Sequence, residues 1–301
     1  MFHQETAARF DGPSKGSSLG QMLRPRGARQ PLSNAAAFLM CAVTAAAAFV
    51  DKDSLTNDLI VELAGSGEGE ITIERDSLYE MGVIDKSVYF PYTDTTLETV
   101  VLPLEILFAK YPGMDHAIAY CYDGYVSYYT PEFVAEYEPY IVLEIAGNAK
   151  GDLQLEGAPD LGPFYITFEK PLEQGSAEMP DPDNKRPFGV YKIEFGTRDS
   201  LVGDLYKRPF TNLTPIEAEG RELWLNNCMS CHSWDADGAG GNLSNRTAEL
   251  LSIHARYNKK YFHDFTRNPQ AMIPDTKMPK HPHYTDAQIE SIRSFLRKIP
   301  N

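Results

Sequence analysis

The chain has 301 residues, 43% of them hydrophobic and 23% charged, a globular composition long enough for about two domains with cores of their own. It carries 28 Lys and Arg against 42 Asp and Glu, a net charge of −14, which excludes a general affinity for nucleic acid. The excess is local: residues 51–213 hold twelve bases and thirty acids, net −18, a block that repels phosphate and is suited either to a basic partner or to life as a solvated acidic face.

At the start of the chain, the basic stretch "RPRGARQPLSN" runs into "AAAFLMCAVTAAAAFV", sixteen apolar residues from Ala35 to Val50, and then into "DKDS". A charged flank, a short apolar run and small residues describe a secretory signal, with removal expected between Thr44 and Val50. Sixteen residues fall short of the roughly 20 a bilayer span needs. The expected location is therefore the periplasm, with membrane association only through an uncleaved N-terminal segment. Residues 1–21 form a polar prefix that a signal does not need, and Met22 makes a more natural start. Cys41 lies inside the apolar run, but Met40 before it spoils a lipoprotein box. Beyond the leader three cysteines remain, Cys121, Cys228 and Cys231, an odd count that argues against a simple disulfide framework.

From Leu59 to about Thr197 the pattern is of short strands: "LIVELAG", "GEITIERD", "SVYFPY", "AIAYCYDGYVSYYT", "YIVLEIAG", "PFYITFEKP" and "GVYKIEFGT". They are rich in Val, Ile, Tyr and Phe and punctuated by Gly, Pro, Asn and Asp, which predicts a mostly antiparallel β domain. One helix is expected within it, Pro103 to Tyr111, with Leu104, Leu107 and Phe108 on one stripe and Pro103 in the first turn. The stretch Ala177 to Pro187, "AEMPDPDNKRP", reads as a surface loop.

At Thr214 the texture turns helical. "TPIEAEGRELWLNN" offers Thr214 as cap, Pro215 at the first position and Glu217 at the third, and "TDAQIESIRSFLRKI" repeats the device with Thr285 and Gln288. The expected organisation is thus multidomain α+β: an N-terminal extension and signal over residues 1–50, an acidic β domain over 51–207 and an all-α domain over 208–301.

Between those two helices stands "NNCMSCHSW". A Cys-x-x-Cys pair is half a zinc site, but its partner pair should follow within roughly 20 residues and no later cysteine exists. His254 and His263 lie nine residues apart, outside finger spacing. A thioredoxin-like pair opens a helix after a strand, whereas this one follows a helix. Covalent haem attachment fits: two thiols one turn apart can add to the two vinyl groups of one porphyrin, and His232 is then an axial nitrogen ligand. Such attachment needs an exported chain, in accord with the leader.

With Gly220 and Trp224 in the preceding helix, "CMSCH", Met278-Pro279 in "IPDTKMPKHP" and Phe295 in the last helix, residues 214–299 resemble a class I c-type cytochrome domain. The order and the gap of 46 residues from His232 to Met278 suit that family. The resemblance implies one covalent haem c on Cys228 and Cys231, with His232 and Met278 as the axial ligands of the iron. Met272, His281 and His283 stand nearby as competing sixth ligands. The family usually has Gly-Pro-Leu after the attachment motif, its Pro bracing the axial histidine; here the match is Gly241-Asn242-Leu243, so His232 is expected to be held in another way.

The order of strand, "DGY", "YIVLEIAG" and "GPFYITF", preceded by "TTLETVVLPLEILFAKY" and followed by "FGVYKIEFGT", is similar to a short molybdopterin-binding domain of the sulfite oxidase type over residues 57–198. Catalytic members bind molybdenum through a cysteine placed before the helix that corresponds to Pro103 to Tyr111. No cysteine occurs between residues 42 and 120, and basic residues to hold a pterin phosphate are scarce. The expectation is a fold without molybdopterin, used for docking or assembly. The whole reads as an electron-transfer protein or a subunit of a redox complex rather than an enzyme, with redox protein partners, basic where they meet the acidic block, and no nucleic acid. The alternatives are a haem-containing molybdenum oxidoreductase and a haem peroxidase or sensor with a displaceable sixth ligand.

Overall fold

The computed structural model describes residues 50–169, 185–207, 209–234 and 239–300. The expected leader, apart from Val50, and all but the last residues of the expected loop Ala177 to Pro187 lie outside the described residues. The first half of the described chain runs β1 (Leu59–Leu63), β2 (Ile71–Ile73), α1 (Arg75–Tyr79), β3 (Ile84–Phe90), β4 (Thr95–Pro103), α2 (Leu104–Lys110), β5 (His116–Cys121), β6 (Val126–Tyr129), α3 (Pro131–Tyr137), β7 (Tyr140–Ile145), β8 (Phe164–Thr167), β9 (Phe188–Gly196) and α4 (Arg198–Val202).

These nine strands share one sheet in the order β2-β1-β9-β8-β7-β4-β3, with β5 attached to β9 and β6 to β5. Only the pair β1 with β9 is parallel; the other pairings are antiparallel, so the mostly antiparallel β region is as expected. Strand β9 is the branch point. Its start pairs with β8 through Phe188 and Val190, and its remainder lies between β1 and β5. The side chains of β5 divide between two cores by the period of two that a strand imposes: Ala117, Ala119 and Cys121 join one cluster with α2, while Ile118 and Tyr120 join the other.

Short helices account for most departures from the expected pattern. In "GEITIERD" the strand ends at Ile73 and α1 begins at Arg75. Pro103 is the last residue of β4 and the cap of α2, one step outside the helix it was expected to open. Helix α3 starts after Thr130, whose hydroxyl accepts from the Phe133 amide at 3.2 Å. Arg75 is buried, and its guanidinium donates to the carbonyls of Asn57, Leu143 and Pro163 at 2.6–3.0 Å while lying 4.3 Å over the Phe164 ring.

The second half is helical: α5 (Pro215–Leu223), α6 (Ala248–Tyr257), α7 (Lys259–Arg267) and α8 (Asp286–Leu296). Both expected N-termini are present. The Thr214 amide donates to Glu217 at 2.8 Å, and the Thr285 amide to Gln288 at 2.8 Å. Helices α5 and α8 cross at Gly220, where an added Cβ would stand 1.9 Å from the Ser291 carbonyl oxygen. One apolar cluster then spans both halves of the fold. It contains Ile118, Tyr120, Val126 and Tyr128 of the sheet, Leu201 and Val202 of α4, and Leu223, Trp224, Met229, Ile292 and Phe295 of the helical part.

Two predictions follow from the packing. In an open helix, Gly→Ala stabilises by about 1 kcal/mol. At position 220 the sign reverses because the obstruction is backbone: Gly220→Ala should cost about 1–3 kcal/mol, read as a lower midpoint of thermal unfolding. The second concerns Lys185, which is 0% exposed, its ammonium donating to the Tyr128 carbonyl and its own carbonyl accepting from the Tyr129 hydroxyl at 3.0 Å. Burial drives its amine from 10.5 down to about 7. Between those values the unfolded chain holds the proton that the folded chain has released, so this residue makes stability rise with pH. Lys185→Met should remove that increment from urea unfolding compared at pH 7 and pH 9.

Candidate haem site

Helix α5 does not stop at Leu223 but widens into one π-turn, Trp224–Cys228, in which the Met229 amide reaches the Trp224 carbonyl at 2.9 Å. Such turns are rare and tend to mark functional segments. The widening brings the chain to Cys228, whose carbonyl accepts from the Cys231 amide at 3.2 Å and the His232 amide at 3.0 Å. Cys228, Cys231 and His232 are thereby held within a single turn. Both cysteines are free, and burial pushes both thiols up to about 12, with the nearby Asp123 carboxylate adding to the effect on Cys231.

The segment after the motif folds back onto it, and this needs two glycines. Gly241 donates to the Met229 carbonyl at 2.7 Å, and a Cβ there would stand 1.9 Å from the Ser230 oxygen. Gly240 has φ +118°, and its Cβ would come within 2.9 Å of the His232 carbonyl. The return continues with the Ser244 amide on the Cys231 carbonyl at 3.1 Å and the Ala248 amide on Ser233 at 2.9 Å. It delivers the Arg246 carbonyl to His232 Nδ1 at 2.7 Å. A carbonyl only accepts, so Nδ1 carries the hydrogen and Nε2 keeps its lone pair for a metal. Burial lowers the His232 pKa, the bond to Arg246 opposes this, and His281 lowers it further. His232 is thus held by a main-chain oxygen well beyond Gly241-Asn242-Leu243, a partner that no side-chain pattern announces.

The walls are aromatic. Trp224 tilts against His232 at 6.1 Å between ring centroids, and Phe210, Trp234 and Phe295 form a trio at 5.3–6.1 Å. The Trp224 indole nitrogen is buried with no hydrogen-bond partner among the described residues, a donor left over for a bound group.

The four expected sixth ligands separate by burial. Met272 and His283 are exposed, Met278 is half-buried and His281 is buried. The Met278 backbone is fixed by Gln270, whose Nε2 donates to its carbonyl at 2.6 Å. The His281 ring stacks on Tyr284 at 5.0 Å, its amide donates to the Arg267 carbonyl at 3.1 Å, and it lies within electrostatic reach of His232.

Two thiols, one imidazole nitrogen with its lone pair free, aromatic walls and a spare indole donor fit a covalently held haem. Among the described residues there is no group of three or more His, Cys, Asp and Glu side chains able to hold a metal by themselves. Residues 217–300 match the family model described as cytochrome c. This segment is a cytochrome c domain. Such a domain implies covalently bound haem c and a role in electron transfer. No curated protein matches the chain. Gln270 and the Arg246 carbonyl escape sequence reasoning, the first because a lone Gln carries no pattern and the second because main-chain oxygens have no letter.

In the haem-free chain, thiols at about 12 are almost wholly protonated at pH 8.5. Alkylation of Cys228 and Cys231 by iodoacetamide at that pH should be at least about a hundred-fold slower than in urea-unfolded chain, and should accelerate as pH rises towards 12. Peptide mapping after timed quenching reads both rates.

Proposed function

We propose that the chain is an exported monohaem cytochrome of the periplasm that passes single electrons between redox proteins. The observation that carries this reading is the joint constraint on Cys228, Cys231 and His232, one turn with the histidine locked by Arg246, inside the matched cytochrome c segment. Haem c supplies a one-electron Fe(III)/Fe(II) couple when bound. In this reading Cys228 and Cys231 attach it, His232 Nε2 is one axial ligand, and the apolar cluster around Trp224 and Phe295 excludes water.

Met278 is the proposed second axial ligand, held through Gln270, since a thioether favours Fe(II) and raises the potential of a carrier. His281 is the specific rival because it is buried and acts on His232. A displaceable ligand there would turn the protein towards sensing or peroxide chemistry.

The acidic block is proposed to dock a basic partner or to fix the cytochrome within a larger complex, in a sulfite-oxidase-like fold that does without molybdopterin. Cys121 is 2% exposed within the sheet and its thiol is pushed well up by burial, which leaves it unsuited to bind molybdenum as a thiolate. Arg75 spends its donors on three main-chain carbonyls. The cavity between Lys52, Asn57, Gly151, Asp160 and Pro163 is only ≈ 170 Å³. A metal-dependent oxidoreductase remains the competing reading, distinguished by metal content.

Protein matured in a host that attaches c-type haem should contain one iron per chain without stoichiometric molybdenum. Its ferric form should show the weak near-infrared band of sulfur-to-iron ligation. Met278→Leu should abolish that band and lower the midpoint potential, whereas His281→Gln should leave both. A ferric form that lacks this band, with a midpoint potential moved by His281→Gln and not by Met278→Leu, would make His281 the ligand.

A further inference from the structure

Met278 and His281, the two rival ligands, stand three residues apart on one loop, and the end of α7 holds them in different ways. Helix α7 finishes at Arg267, and Gln270 follows in the next turn. Gln270 acts on the first half of the loop. Its Nε2 donates to the Met278 carbonyl at 2.6 Å and reaches the Thr276 carbonyl at 3.4 Å, while the Met278 amide donates to the Thr276 hydroxyl at 3.4 Å. These bonds fix the main chain of Met278. Its side chain, unbranched and with three rotatable bonds, keeps the freedom to turn towards a metal.

His281 is held by its ring as well. Its amide donates to the Arg267 carbonyl at 3.1 Å, its carbonyl accepts from the Tyr284 amide at 3.3 Å, and its imidazole stacks on the Tyr284 ring at 5.0 Å between centroids and 19° between planes. Both residues are buried. Two of those three contacts run through Tyr284, which Arg267 ties down in turn: its Nη2 donates to the Tyr284 carbonyl at 3.0 Å and to the Asp286 carboxylate at 2.9 Å. Asp286 opens α8, so the end of the loop is pinned between two helices.

We propose that Arg267 is a positioning residue that selects the second axial ligand. By fixing Tyr284 it keeps the His281 ring stacked within the loop and leaves the axial position to Met278. The inference rests on the haem reading above. Imidazole is the commonest metal ligand among side chains, so a loop that carries one beside a thioether needs a device to withhold it. A histidine in that place would forgo the higher potential that a thioether confers.

The test uses full-length, haem-matured protein. Arg267→Leu keeps an apolar stem and removes the bonds to Tyr284 and Asp286. It should raise the share of ferric protein lacking the near-infrared sulfur-to-iron band at least about ten-fold, the weight of one hydrogen bond from a charged donor, and lower the midpoint potential in step. Amide exchange at His281 and Tyr284 should speed up by a similar factor. Adding His281→Gln to Arg267→Leu should restore the band and the potential, which the repair of a merely loosened loop would not explain. Lys260→Gln breaks an exposed ion pair with Asp264 on the same helix and is the control that should change none of these. If Arg267→Leu does not fold, Arg267→Gln, with a shorter stem and no charge, takes its place with the same expected outcomes. A band at wild-type strength in a folded, haem-loaded variant, or a loss that His281→Gln does not restore, overturns the role of Arg267 and leaves the cytochrome intact. A wild-type chain that carries haem without the band overturns the choice of Met278, and one that takes up no haem overturns the functional reading; either takes this inference with it.

Discussion

The five residues from Cys228 to His232 must close a turn while chain approaches them from three sides, and the rest of the helical part is arranged around that constraint. Within the turn the Cys228 carbonyl takes two amides. Outside it, Met229, Ser230 and Cys231 offer their carbonyls to Gly241, Val126 and Ser244. Buried main-chain oxygens need such partners, and a loop this short has no room to supply them itself. The chemistry-bearing side chains are rigid because the backbone beneath them is fully engaged. Glycine at 240 and 241 lets the returning segment come close enough, and Gly220 sets the depth at which α5 rests on α8.

The junction between the sheet and the helices is apolar at its centre and ionic at its margin. Ile118, Tyr120, Val126 and Tyr128 meet Trp224, Leu225 and Met229 in one cluster. Beside it Tyr206 lies between two guanidinium groups, Arg221 at 3.8 Å and Arg198 at 4.7 Å, and donates to Glu222 at 3.0 Å. The charge of the chain is distributed differently. Residues 246–300 carry ten bases against five acids, while residues 51–213 have a net charge of −18. A molecule polarised in this way orients in the field of a charged partner before contact, which raises encounter rates at low ionic strength.

Much of this was legible in the letters, and the reasons differ by element. The capped ends of α5 and α8 could be read because Thr-x-x-Glu and Thr-x-x-Gln are local devices whose partners lie three residues apart. The strands could be read from β-branched and aromatic runs, and the attachment motif from its spacing. The helices α1, α3 and α4, of five to seven residues, are too short for a period of 3.6 to declare itself, and Pro103 was misplaced by one residue because a proline serves equally as the end of a strand and the entrance to a helix. The bracing of the His232 ring by the Arg246 carbonyl and the grip of the β5–β6 hairpin on the Ser230 carbonyl each end on a main-chain oxygen, across 14 and about 100 residues. The identity of the residue that supplies the carbonyl encodes neither; they are consequences of the tertiary fold.

The same hairpin ties the β region to the attachment motif. Strand β5 sends Cys121 and Ala119 into the core shared with α2, and Ile118 and Tyr120 into the core shared with the cytochrome domain. Its continuation past the turn brings Gly124, Tyr125 and Val126 to the attachment motif. A polar ligand seated within the sheet would need buried donors, yet Arg75 is committed to holding three chain segments together and the Lys185 ammonium to the Tyr128 carbonyl. Those two side chains tie together the strands from which the hairpin projects. Because the hairpin and the attachment turn share main-chain bonds, a hairpin that moved would carry the turn with it.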